Sequence, residues 1–392
     1  MVMKGYRYSF LLFFLLIFFN ACVSPYDPNI TKYENLLVVD GELSNLPGPY
    51  HVKLTRSYKF YENTYKTVRG AQIKIIDNNG LEVLMAETGD GIYTTIDSTF
   101  QGIVGNSYKL NIMLDGEVFE SEFETIKKPV PIDSLYWEYQ QKDKDTEGVQ
   151  ILLNSNDPTN STHYYAWKYD DTWRFRVPID YSGKPEWKEC YKYNSSTNFD
   201  IASSTNRVGD IIDRHPILFC DENTNRIFIR YTILVKQLSL TEQAYKFFDK
   251  LISLNENQGT LFDPIPCSLV GNIKNVTNKD VPVLGYFLVV GASEKRIFID
   301  RSELPESYEP TDGFDYCYTD ILLISPELTN YRDDAMVDSL MNLGYVVFEE
   351  HLITIAQGVY ARQLNMAKPP CFNCTLNGKI EEPFFWEEKE SN

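Results

Sequence analysis

The sequence predicts a mainly β protein, with an N-terminal immunoglobulin-like β-sandwich over residues 36–128 and a larger β-rich, sandwich-like domain over 133–392 that carries one or two helices. Three observations predict it. Seven short runs of alternating apolar and polar residues lie between residues 36 and 128, separated by turn signals, which is the cadence of half-buried strands in a sandwich. The stretch Lys127-Lys-Pro-Val-Pro131 then breaks the pattern with two prolines and two charges, as a domain junction does. Beyond it, aromatic strands resume, with one capped helical segment among them.

The elements follow in chain order. Lys4 and Arg7 precede the apolar run Phe10 to Phe19, and Asn20-Ala21-Cys22 follows, the charged, apolar and small-residue parts of a secretory signal. Ten apolar residues are too few to cross a bilayer, which takes about 20 in helical form. An Ala-Cys ending resembles the lipobox of bacterial lipoproteins, although Phe19 stands where Leu is usual. Residues 1–21 are therefore expected to be a lipoprotein signal, and Cys22 the lipidated residue that holds the chain to a membrane by buried acyl chains. Residues 22–35, with Pro25, Asp27, Pro28 and Asn29, form the expected tether.

The candidate strands of the first domain are Leu36 to Gly41, Tyr50 to Arg56, Ala71 to Ile76, Glu82 to Glu87, Gly91 to Ile96, Ser107 to Leu114 and Glu117 to Thr125. Asp77-Asn-Asn-Gly80 and Asp115-Gly116 supply residues that tolerate positive φ and close hairpins. In the second domain the expected strands are Ser134 to Gln141, Gly148 to Asn154, Tyr164 to Tyr169, Thr172 to Val177, Arg226 to Gln237, Ser268 to Val276, Gly285 to Val290 and Lys295 to Ile299. Ser239-Leu-Thr-Glu242 has the form of a capping box opening a helix whose face is Leu240, Ala244, Phe247, Phe248, Leu251 and Leu254. A shorter helix is expected over Asp333 to Asn342, stopped by Gly344.

Charge and cysteines narrow the function. The net charge is −18, and −20 once Lys4 and Arg7 leave 35 basic against 55 acidic side chains, so a nucleic-acid partner is not expected. Such a charge also opposes flat adsorption on anionic lipid, which leaves the acyl group as a tether. Besides Cys22 there are Cys190, Cys220, Cys267, Cys317, Cys371 and Cys374, an even set that an oxidising compartment would oxidise to disulfides. Cys190 with Cys220 is the preferred pair, because both flank a polar stretch, Asn194 to Asp213, expected to be a long loop. Cys371-Phe-Asn-Cys374 lies among turn residues rather than at the start of a helix. It is expected to bridge structurally, either locally or to Cys317 and Cys267, instead of serving redox chemistry or zinc.

Motifs with known mechanics are scarce. His51, His163, His215 and His351 form no close metal-ligand array, and neither a G-x-S-x-G elbow nor a phosphate-cradling loop occurs. No catalytic residue, cofactor or metal is expected. Asp143-Lys-Asp145-Thr-Glu147-Gly148 begins like a calcium loop, but Asn154 stands where a bidentate carboxylate belongs, so a charged hairpin tip is expected. The densest aromatic cluster is Tyr164-Tyr165-Ala166-Trp167 with Tyr169, Trp173 and Trp187. Alternation places Tyr165, Trp167 and Tyr169 on one strand face, so at least one aromatic face is core; Tyr165, Trp167, Tyr169 and Trp173 are the candidates if any platform binds a ligand.

Several stretches taken together resemble a lipoprotein family of Bacteroidetes known as domain of unknown function 4249. They are Leu37-Val-Val-Asp-Gly41, Gly48-Pro49 with Val52-Lys-Leu-Thr-Arg-Ser57, Gly102 and Gly105 before Tyr108, Ile132-Asp-Ser-Leu135, Gly259-Thr-Leu-Phe-Asp263, Gly271-Asn-Ile273, Gly285-Tyr-Phe287 and Arg296-Ile-Phe-Ile299. Cys371 and Cys374 with Gly378, then Pro383-Phe-Phe-Trp386, resemble its closing motif. The resemblance implies a lipid-anchored outer-membrane or cell-envelope protein, facing the periplasm or the surface. It also implies a binding or accessory role, with a TonB-dependent receptor as partner, and supplies no catalytic residue. Two alternatives stand beside it, a surface glycan hydrolase with paired carboxylates and a purely structural envelope protein.

Overall fold

The computed structural model describes residues 35–57, 66–144, 146–197, 199–205, 209–256, 269–324 and 334–386. Alternation sets the first strands: β1 (Leu37–Ser44), β2 (His51–Arg56), β3 (Lys66–Thr67), β4 (Gln72–Asp77), β5 (Glu82–Gly89), β6 (Ile92–Thr95), β7 (Ser107–Leu114), β8 (Glu117–Ser121) and β9 (Glu124–Thr125). In β7 every second residue, Tyr108, Leu110, Ile112 and Leu114, is buried. The predicted turns fall as expected: Gly80 (φ 88°) closes β4 on β5, and Asp115 (φ 52°) with Gly116 (φ 82°) closes β7 on β8.

These strands do not pair only among themselves. Later in the chain come β10 (Ile132–Asp143), β11 (Thr146–Asn156), β12 (Tyr164–Arg176), β13 (Glu189–Ser195), β14 (Asp200–Ser203), β15 (Ile211–Asp221), β16 (Arg230–Ser239), helix α1 (Glu242–Glu256), β17 (Val270–Asn275) and β18 (Pro282–Asp300). β17 pairs with β8, and β18 runs parallel to β1, so the order β1-β2-β6-β5-β4-β7-β8-β17-β18 closes on itself as a nine-strand, barrel-like sheet. Side chains fill it, among them Leu37, Val39, Leu43, Tyr93, Phe119 and Phe287, so the interior is a packed core and not a channel. The ladder thus crosses the sequence-predicted junction at 127–131, and the first ninety-odd positions, expected to make two facing sheets alone, instead borrow two strands from beyond residue 269.

Glycines make the closure possible. Gly285 has φ 89°, and a Cβ there would lie 1.9 Å from the carbonyl oxygen of Val39; one on Gly271 would lie 1.6 Å from the carbonyl oxygen of Gly285. Between β17 and β18 the register shifts, and Asn272 spans the gap with its side chain, donating to the Phe287 carbonyl (2.8 Å) and accepting from the Phe287 amide (3.0 Å). The stretches Leu37 to Gly41, Gly271 to Ile273 and Gly285 to Phe287 therefore meet at one seam.

β18 is long enough to serve twice. Its first half belongs to the ring; its second half, Gly291 to Asp300, pairs with β16, which pairs with β12, itself flanked by β13 and β14. Facing this is the sheet β10-β11-β15, and between the two lies a core of Leu135, Val149, Ile151, Trp167, Phe175, Tyr231 and Ile233. The stretch Asn194 to Asp213 is shorter as a loop than expected, because β14 and the start of β15 form within it; β15 escapes a periodicity search since Arg214 and Pro216 interrupt it. Pro216 is tolerable because β15 is an edge strand. A third small sheet joins β19 (Asp320–Ile324), β20 (Val346–Ala356) and β21 (Val359–Ala367) in the order β19-β21-β20, with helix α2 (Asp334–Asn342) over Leu322, Leu364 and Met366. No helix among the described residues is long and apolar enough to cross a membrane.

The helix α1 starts two residues later than its apparent capping box. Ser239 is drawn into the β16–β18 ladder opposite Gly291, and Thr241 takes over the cap, its Oγ1 accepting from the Ala244 amide at 3.1 Å. Phe247 and Phe248 then pack on Tyr286 and Leu288 of β18, on the outer side of the ring.

The preferred pair Cys190–Cys220 does not form, whereas a bridge from the 371–374 turn to Cys317, one of the expected alternatives, does. Cys190 bonds to Cys374 and Cys317 to Cys371, while Cys220 is a buried free thiol. Cys190 and Cys220 lie on different sheets, on β13 and β15, whereas the 369–376 turns run beside β13. Cys22 and Cys267, like Gly259 to Asp263, lie outside the described residues.

Candidate functional site: a mixed-charge patch beside the ring

The predicted aromatic candidates are core. Tyr165, Trp167 and Trp173 are buried and Tyr169 half-buried against the same cluster. Each polar edge is satisfied internally. Trp167 Nε1 donates to Gln237 (2.9 Å), whose amide donates to Ser155 Oγ (2.8 Å) and the Val130 carbonyl (3.0 Å); Trp173 Nε1 donates to Asn225 (3.0 Å). Tyr165 donates to the buried Asp210 at 2.9 Å, and burial together with that carboxylate pushes its phenol well above the ordinary range. His215 stacks on Trp167 at 3.9 Å and meets Asp200 at 2.8 Å, joining the edges of the two facing sheets. Cys220 is equally enclosed, and burial pushes its thiol up to about 12, so it stays protonated and inert.

The stretch that begins like a calcium loop is the hairpin tip expected of it: Asp143 pairs with Thr146 across the β10–β11 turn, and the Asn154 side chain accepts from the Arg214 amide at 2.7 Å. A shallow depression of about 710 Å³ is lined by Arg176, Asp300, Arg301 and Glu306, but its cations are engaged within the chain. Arg176 pairs with Glu189, and Arg301 donates to the Pro305 and Tyr308 carbonyls.

A different place combines exposure with perturbation. In β1, Leu37, Val39 and Leu43 point into the ring, so Asp40 and Glu42 lie on its outer face, beside Tyr286 and Leu288 of β18 and opposite Lys53 of β2. Contacts run in a circuit around that spot. Tyr286 meets Phe248 of α1 (5.9 Å between ring centroids), Phe248 stacks on Phe199 (4.3 Å), Lys168 of β12 sits over Phe199 (4.4 Å), and Lys168 Nζ returns to Glu42 at 2.5 Å. Asp40 lies inside the circuit. Its side chain reaches solvent, yet burial pushes its carboxyl above the ordinary value, with Lys168 opposing, Glu42 adding and Lys53 opposing. Asp40 is an exposed residue on the outer face of the ring, with charges of both signs around it. Among the described residues no donor hydrogen-bonds the Asp40 carboxylate.

Sequence reasoning passed over Asp40, Lys168 and Tyr286. The available signal was a carboxylate at the centre of an apolar strand, Leu37-Val-Val-Asp-Gly41, where Leu37, Val39 and Gly41 each have a packing reason and Asp40 has none.

The class defined by this geometry is a two-part β protein whose closed ring shares its longest strand with a disulfide-linked region. The chain belongs to the family described as domain of unknown function (DUF4249), whose model matches residues 23–296. That span includes the whole seam of the ring and Asp40, and ends within β18 before Cys317, Cys371 and Cys374. None of the curated proteins matches the chain.

Proposed function

We propose that this protein is a lipid-anchored component of the outer membrane or cell envelope that works as a binding or accessory subunit, with a TonB-dependent uptake receptor as its partner. The observation that carries the export half of this reading is the pair of disulfides, Cys190–Cys374 and Cys317–Cys371, on a chain that opens with a lipoprotein-like signal through Cys22. Disulfides persist in oxidising compartments and are rare in the cytosol. Residues 22–35 are the tether in this reading, and Cys22 carries the acyl chains. The architecture goes with it in its cadence: the short, turn-separated strands β1 to β9 fall within residues 36–128 and close into the ring with β17 and β18, and the two sheets facing across Trp167 support a sandwich-like second region.

The binding half rests on the exposed mixed-charge patch of Asp40, Glu42, Lys53 and Lys168 on the outer side of β1. Asp40 and Glu42 are the paired carboxylates a glycan hydrolase would need there, but Lys168 already holds Glu42 at 2.5 Å, which favours binding over hydrolysis. Two experiments test the proposal. Replacing Cys22→Ser should move the protein from the membrane to the soluble fraction and remove the acyl mass from its N-terminal peptide. Purification of the native protein in mild detergents should bring a receptor with it; recovery of the protein alone in every detergent would contradict the accessory role.

A further inference from the structure

We draw no further inference here: the strongest candidate, the outer face of the β18-β16-β12-β13 sheet, where Arg230 and Phe298 lie against Trp386 and Arg296 lies against Phe385, is covered by the chain's own segment 379–386, and nothing in the structure shows a ligand or partner that would take its place.

Discussion

The ring and the region around Trp167 hold together by different means. The segments that build the ring, 35–126 and 269–290, contain no cysteine, and their closure depends on backbones that touch: Gly285 against Val39, Gly271 against Gly285, with Asn272 bridging the bulge. The second region instead ties its ends covalently, Cys374 to β13 and Cys371 to Cys317, with sequence separations of 184 and 54 residues. In the chain-entropy view, loops of those lengths correspond to about 5 and about 4 kcal/mol. The difference teaches that close approach can do for neighbouring strands what a crosslink does for distant segments. A seam of glycines is intolerant of a single methyl group, whereas a crosslinked turn tolerates change until the sulfur is removed.

The largest expected effect breaks the seam. Gly285→Val places a branched side chain at positive φ with its Cβ 1.9 Å from a carbonyl oxygen, and should cost more than about 4 kcal/mol or prevent folding, measured by urea unfolding. Next comes the crosslink. Cys190→Ser with Cys374→Ser should cost roughly 2–5 kcal/mol by the same measurement while leaving the ring folded. Gln237→Leu should cost roughly 1–3 kcal/mol, because it strands the Trp167 indole N–H in the core without an acceptor.

The smallest effect concerns Asp40. Its folded-state pKa lies above the unfolded one, so the folded state holds the proton more tightly, and stability falls as pH rises from the ordinary carboxylate value through the raised one. Asp40→Asn should abolish that slope and slightly raise the neutral-pH unfolding midpoint. A midpoint lowered by Asp40→Asn would mean that the carboxylate supports the fold.

Sequence alone made the local features legible. Strand β7 and the Asp115-Gly116 turn follow from alternation and from residues that accept positive φ, both of which act over a few positions. Nonlocal features were hidden. Whether Ser239 or Thr241 caps α1 depends on β18, more than forty positions away, claiming Ser239 for its ladder. The pairing of Cys190 with Cys374 follows from which segments lie beside β13, and spacing carries no information about that. The aromatic run at 164–169 was correctly divided between two faces by alternation, with Tyr165 and Trp167 in one core and Tyr164 and Ala166 in another. Asp40 drew no notice because the charge that faces it from another part of the chain, Lys168 of β12, arrives only once β12 and β18 have come together.

Hydrogen exchange on the protein with its disulfides intact and after reduction tests the contrast between the two regions most directly. The amides of β1, β2 and the first half of β18 should keep their protection when the disulfides are reduced, while β13 and residues 369–376 lose theirs. Loss of protection in the ring and around β13 together would show one cooperative unit held by its disulfides, and would contradict a ring that stands on its own seam.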